Sequence, residues 1–226
     1  MNDVAHSLPR SLGESITQEV RRMLVEGELV PGQRLSEAAL ADSLQISRNT
    51  LREAFRVLTR EGLLKHEPNR GVTVAVPDMA SIIDIYRVRR FRVRRFIECK
   101  AIAQGYPLHP GALHMRQAVE AGMQAREAKD WKAVGTANMM FHKAIVELAD
   151  SPRLVVFYGQ ISAELRLAFG LLDDAEFLHM PYVDMNISVL RCIEEGRPEE
   201  ATRMLEAYLV QSERTVLAAY ERSMNR

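Results

Sequence analysis

Net charge is missing from this chain. Its 226 residues hold 30 Lys and Arg against 30 Asp and Glu, so no bulk positive field draws it to a polyanion. The first 78 residues are no different, with 10 basic and 11 acidic side chains. Any contact with nucleic acid must come from local clustering. Long apolar runs are missing too. None approaches the roughly 20 residues of a membrane helix, and no apolar run follows a basic start as in a secretory signal. No membrane partner and a cytoplasmic location are expected. Cysteine is scarce: Cys99 and Cys192 lack CxxC spacing and read as small, reduced core residues. Catalytic spacings are also lacking. There is no Ser/His/Asp set, glycine-rich phosphate loop or HExxH, and His109, His114 and His179 are scattered without ligand spacing. An enzyme is not expected.

What is present is a concentration of guanidinium groups. The stretch SRNTLREAFRVLTREG, residues 47–62, carries Arg48, Arg52, Arg56 and Arg60 around an apolar stripe of Leu51, Phe55 and Leu58. A helix turns about 100° per residue, so the four arginines form a slanting ridge and cannot all enter one groove. In helix-turn-helix docking the N-terminal end of the second motif helix meets the bases, which selects Arg48, Asn49, Thr50 and Arg52. Arginine matches guanine O6 and N7, and Asn or Thr can read adenine or touch phosphate. Ser47 and the free amides at the helix start suit a phosphate. Arg56 is expected at a phosphate or in an internal pair, and Arg60 in solvent or facing another domain.

The surroundings complete a motif. A helix over about 12–26 with Ile16, Val20 and Met23 or Leu24 on one face precedes it. After the turn VPGQ a short helix follows, over 35–44, with Leu40 and Leu44 turned inward. Beyond Gly62, LLKHE and VTVAV flank PNRG, a two-stranded hairpin with Val72, Val74 and Val76 on one side and Asn69, Arg70 and Gly71 at its tip. This is a winged helix-turn-helix over 12–78, after a flexible 1–11. The remainder, 79–226, reads as helices near 79–104, 112–128, 131–149, 152–172, 178–195 and 198–223, with Asp130 and Ser151 as N-caps and Pro152 and Pro198 in first turns. The fold class is mainly α: a winged helix-turn-helix followed by an antiparallel bundle of about six helices, able to hold a pocket.

LSEAALADSLQISRNTLREAFRVLTREGLL followed by NRGVTV resembles the N-terminal domain of GntR-family transcription regulators, and the helical remainder resembles the FadR C-terminal (FCD) type, with six helices suggesting the VanR-like branch. The resemblance implies a homodimer on a palindromic operator in double-stranded DNA, its grip changed by a small metabolite, often a carboxylate, held in the bundle. By position Arg48, Arg52 and Gly71 match family DNA contacts. Two departures are visible: Ala38-Ala39 stand where relatives nearest FadR carry an arginine, and Gln45 stands where a turn glycine is usual.

The bundle has its own polar set. Asn138 and His142 lie four apart beside the apolar stripe of Val134, Phe141, Ile145 and Leu148. They read either as a hydrogen-bonded pair between helices or as part of a pocket wall. Many FCD domains hold a divalent metal with Asp and His four apart on this helix and one His from each of the last two helices. Here those positions are Asn138, His142, Asn186 and Tyr208, so His142 alone is retained. Amides and a phenol are poor ligands for a transition metal, and no metal or other cofactor is expected. The four side chains would instead serve an organic effector, with Arg89 from the run YRVRRFRVRR gripping a carboxylate. Met139, Met140, Met180, Met185 and Met204 read as core fillers or pocket walls. An architectural, effector-free DNA-binding protein is the alternative, with an enzyme built on the bundle a more distant one.

Overall fold

The computed structural model describes residues 12–67, 71–97, 109–172 and 175–224, and for 91–97 the backbone alone. Residues 1–11, Asn69, Arg70, Arg92 and Cys99 therefore lie outside the described side chains. The chain divides into two compact units, 1–75 and 76–226.

In the first unit α1 (Leu12–Val25) buries Ile16, Val20 and Leu24. The same face carries Arg21, whose Nη2 donates to Glu61 Oε2 at 2.5 Å. The second helix is shorter than its sequence suggests: α2 spans Glu37–Ser43, capped by the Ser36 side chain. Its buried residue is Ala41, while Leu40 and Leu44 are only half-buried. The third helix, α3 (Arg48–Arg60), starts at Ser47, whose side chain accepts from the Thr50 amide, and buries Leu51, Ala54, Phe55 and Leu58. Gln45, in the turn between α2 and α3, has φ 55°, the left-handed conformation that glycine adopts without strain.

The expected two-stranded hairpin forms, and a short third strand joins its edge. β1 (Arg34–Leu35), β2 (Leu64–Glu67) and β3 (Gly71–Val74) form an antiparallel sheet in the order β1-β3-β2. Leu35 pairs with Val72, and Leu64 with Val74. Leu35 thus belongs to a strand rather than to the helix. Val72 and Val74 are buried as the alternation predicts, but Val76 lies past the strand end and is 58% exposed.

The second unit holds six helices among the described residues: α4 (Met79–Ile97), α5 (Pro110–Glu127), α6 (Trp131–Glu147), α7 (Pro152–Phe169), α8 (Ala175–Glu194) and α9 (Pro198–Met224). Short turns connect α5 to α6, α6 to α7 and α8 to α9, which folds each pair antiparallel. Lys129, Asp150 and Gly196 take positive φ just past helix ends, the usual left-handed termination. Asp130 and Ser151 cap α6 and α7. His109 caps α5: its Nδ1 accepts from the Gly111 amide while Nε2 pairs with Asp150 Oδ1 at 2.9 Å.

α6 packs on α5, α7 and α8, and α9 on α4 and α8. The core joins Met115, Phe141, Leu148, Val189, Leu205 and Leu209, all nearly inaccessible. Cys192 is free and buried in it. Met139 is buried and Met185 and Met204 are half-buried against this core, but Met140 and Met180 are exposed and fill nothing. On α4 the inward face is Ile82, Ile85, Tyr86 and Arg89, a spacing of three, four and seven that displaces Ile83 to its margin. α8 starts at Ala175 even though Pro181 stands inside it. Among the described residues no helix is long and apolar enough to cross a membrane.

Candidate functional site

In the first unit the front of α3 is open. Ser47, Arg48, Asn49 and Arg52 are exposed and Thr50 is half-buried. The Ser47 and Thr50 hydroxyls lie 2.8 Å apart, so the cap that starts the helix also fixes Thr50. Arg48 has no ion pair among the described residues. Arg52 has one: its Nε donates to Glu37 Oε2 of α2 at 2.7 Å. Arg56 pairs with Glu53 at 2.6 Å on its own helix. A groove of about 810 Å³ runs beside these residues, lined by Arg52, Arg56 and Arg60 of α3, Glu37 of α2, and His66 and Val72 of the wing. Gly71 is exposed at φ 83° with no atom within 4 Å of where a Cβ would stand. The backbone there is unobstructed, and the left-handed φ accounts for glycine. Arg70 lies outside the described residues.

Glu37 and His66 escaped the sequence reading. A glutamate at a helix start looks like a partner for the helix dipole. Only the crossing of α2 and α3 turns it toward Arg52.

In the second unit the five expected side chains meet. Asn138 Oδ1 accepts two hydrogen bonds, from Asn186 Nδ2 at 2.8 Å and from the Tyr208 hydroxyl at 2.8 Å. The His142 and Tyr208 rings stand edge to face at 4.9 Å. Arg89 is 6% exposed and lies 5.1 Å from the Tyr86 ring. Tyr86 in turn meets Ser212 of α9, with the two hydroxyl oxygens 2.6 Å apart. Two buried polar atoms, His142 Nε2 and Asn186 Oδ1, have no hydrogen-bond partner among the described residues.

The electrostatics follow from burial and from Arg89. Burial alone would lower the pKa of Arg89, but the phenols of Tyr158, Tyr86 and Tyr208 offset that and hold it above its ordinary value. Burial, and then the Arg89 charge, push His142 well below the usual imidazole range, so it is neutral. Burial lifts Tyr208 well above its ordinary value, against the opposing pull of Arg89. Tyr86 is raised to about 12, chiefly by burial. The arrangement is one buried cation among neutral groups, with no carboxylate opposing it among the described residues. As a metal site the donor set fits poorly. The Asn138 oxygen is already used twice, the phenol keeps its proton, and one imidazole remains. Among the described residues no three His, Cys, Asp or Glu side chains converge.

The family described as bacterial regulatory proteins, gntR family, matches residues 12–74, and the FCD domain matches residues 89–211. The crystal structure of a GntR transcriptional regulator from Rhodococcus sp. RHA1 is 33% identical, covers 93% of this chain and 100% of its own, and superposes with a TM-score of 0.83. The chain belongs to the GntR family. It is a transcriptional regulator with a winged helix-turn-helix DNA-binding domain and an FCD domain. Among curated GntR relatives, a Paenarthrobacter nicotinovorans protein named probable D-xylose utilization operon transcriptional repressor is 27% identical over 84% of either chain. The fold is shared with E. coli McbR/YncC, at 22% identity and a TM-score of 0.77 over 93% of this chain and 98% of that one. Both domains of this GntR regulator are thus those of transcriptional regulators.

Proposed function

We propose that this regulator is a cytoplasmic homodimer that binds a palindromic operator in double-stranded DNA, represses there, and is released when a small organic carboxylate enters the bundle. One observation carries the effector half. Arg89 is a buried guanidinium among phenols and a neutral imidazole, and a carboxylate is the group whose bidentate geometry and charge complement it. The orphaned His142 Nε2 and Asn186 Oδ1 supply a donor or acceptor for the rest of the ligand, since leaving such atoms unpaired costs about 1–3 kcal/mol each. The same set is read as metal-free, because Asn138 and Tyr208 spend their polar atoms on each other. Arg48, Asn49, Thr50 and Arg52 read base edges in this scheme, Ser47 and Gly71 approach phosphate, and Arg70 belongs with the wing tip. Repression is carried by analogy with the relatives' names alone.

Effector binding shifts a population only through unequal affinity for the DNA-fitting and non-fitting states. The test is a thermal-shift screen of small organic acids, followed by gel shifts with the hit. Wild-type protein should be stabilised as ligand rises and should release operator, while Arg89→Met should bind operator but ignore the acid. An Arg89→Met protein that still responds in full would overturn the assignment. If no acid stabilises the wild type, the hydrogen bonds within the Asn138 set favour an architectural protein without an effector.

A further inference from the structure

The bundle buries a second guanidinium that the Arg89 set does not use. Arg166 of α7 is 7% exposed, and among the described residues no carboxylate or other acceptor pairs with it. His179 of α8, 3% exposed, stands beside it. Both side chains converge on α6 at Gly135, where a Cβ would lie 2.7 Å from Arg166 Nη1 and 2.7 Å from His179 Nε2. The lack of a side chain at 135 is what lets both nitrogens reach the α6 backbone. His179 Nδ1 is buried with no partner among the described residues, and the Phe169 ring closes one side, edge to face at 5.0 Å. Burial lowers the pKa of Arg166. It also lowers that of His179 to about 4, with Arg166 adding to the effect. The imidazole is therefore a neutral partner and contributes no second charge.

A largely buried guanidinium without an ion pair among the described residues is an unfavourable arrangement unless water or a ligand supplies its counterpart. Packing thus gives no reason for Arg166. We propose that Arg166 and His179, drawn against α6 at Gly135, form an oxyanion subsite for a carboxylate or phosphate group. The guanidinium carries the charge, and the imidazole in its Nε2–H tautomer is the second donor. The subsite continues the polar seam of the bundle. Gly135, Asn138 and His142 follow at intervals of three and four on α6, and His179, Tyr182 and Asn186 do the same on α8. It does not depend on the role assigned to Arg89.

Full-length protein is melted at constant ionic strength while chloride is exchanged for inorganic phosphate in one series and for acetate in another. Wild-type protein should show a saturable rise in melting temperature with at least one of the two, and which one identifies the oxyanion. The acetate series is repeated in Arg89→Met, where the effector set no longer takes a carboxylate, so any rise that remains there belongs to the Arg166 subsite. Arg166→Met should lose it while its ligand-free melting temperature stays level or rises, since an unpaired buried charge has been removed. Gly135→Ala, which pushes both nitrogens aside, should weaken anion affinity at least tenfold by calorimetry. It provides the decision if Arg166→Met does not fold. A wild type indifferent to both anions, an Arg166→Met protein that keeps the rise, or one that folds but melts well below wild type in chloride would each overturn the subsite. Failure of the Arg89 assignment alone shows itself differently, as operator release by the screened organic acid surviving in Arg89→Met.

Discussion

Arg48 and Arg52 stand exposed on the first turns of α3, where a bidentate arginine contact is worth about 1–3 kcal/mol of discrimination between bases. Replacing either with alanine should cost about that much operator affinity and relax preference at one base pair, measured by gel shift against single-base operator variants. Arg56→Ala should instead weaken all sequences alike and reduce the salt slope by about one. The buried histidines set a different expectation. His179 titrates near 4 in the folded chain against about 6.5 unfolded. Between those values the unfolded state holds more protons, so stability is full above pH 6.5 and falls as pH drops toward 4. The loss amounts to about 3 kcal/mol for this one group, and His142 acts in the same direction. Melting curves between pH 7 and 4.5 should show that His179→Gln removes part of this acid sensitivity.

At the scale of elements, legibility followed the range of the forces involved. The caps Ser47, Asp130 and Ser151 hydrogen-bond amides three residues on, so their sequence neighbourhood contains all the information. The two-residue β1 has no pattern of its own. It exists because Val72 and Thr73 of β3 offer Leu35 and Arg34 a paired edge, a contact almost 40 residues away. The inward placement of Asn138 and His142 could be read from the stripe beside them. Arg166 and His179 could not, because neither lies at a spacing that marks a site and only the approach of α6, α7 and α8 brings them together. Gln45 is a local case with a local test. A non-glycine residue at φ 55° bears a left-handed cost of about 1–2 kcal/mol, so Gln45→Gly should raise the stability of the first unit by about 1 kcal/mol after the extra unfolded-state freedom is counted, read from denaturant melts followed by operator binding.

For the whole molecule the donor chemistry of the Asn138 set makes a simple statement about metals. Protein purified without chelator should carry well under one transition metal per chain, and EDTA should leave its melting temperature unmoved; a stoichiometric metal lost with a drop in melting temperature would refute the metal-free reading. The neutral overall charge has a kinetic meaning as well. Long-range steering toward DNA is weak, and the proposed reading assigns specificity to a few side chains on α3. One of these is engaged beforehand. Arg52 is held by Glu37, so duplex DNA recruits it only by exchange for a carboxylate. Guanine at the right step can outbid that grip with two acceptors, whereas a non-cognate duplex leaves the arginine where it was. If Arg52 reads a base as proposed, an internal rival of this kind weakens binding to non-cognate duplex, and Glu37→Gln should narrow the gap between operator and random DNA by tightening the latter.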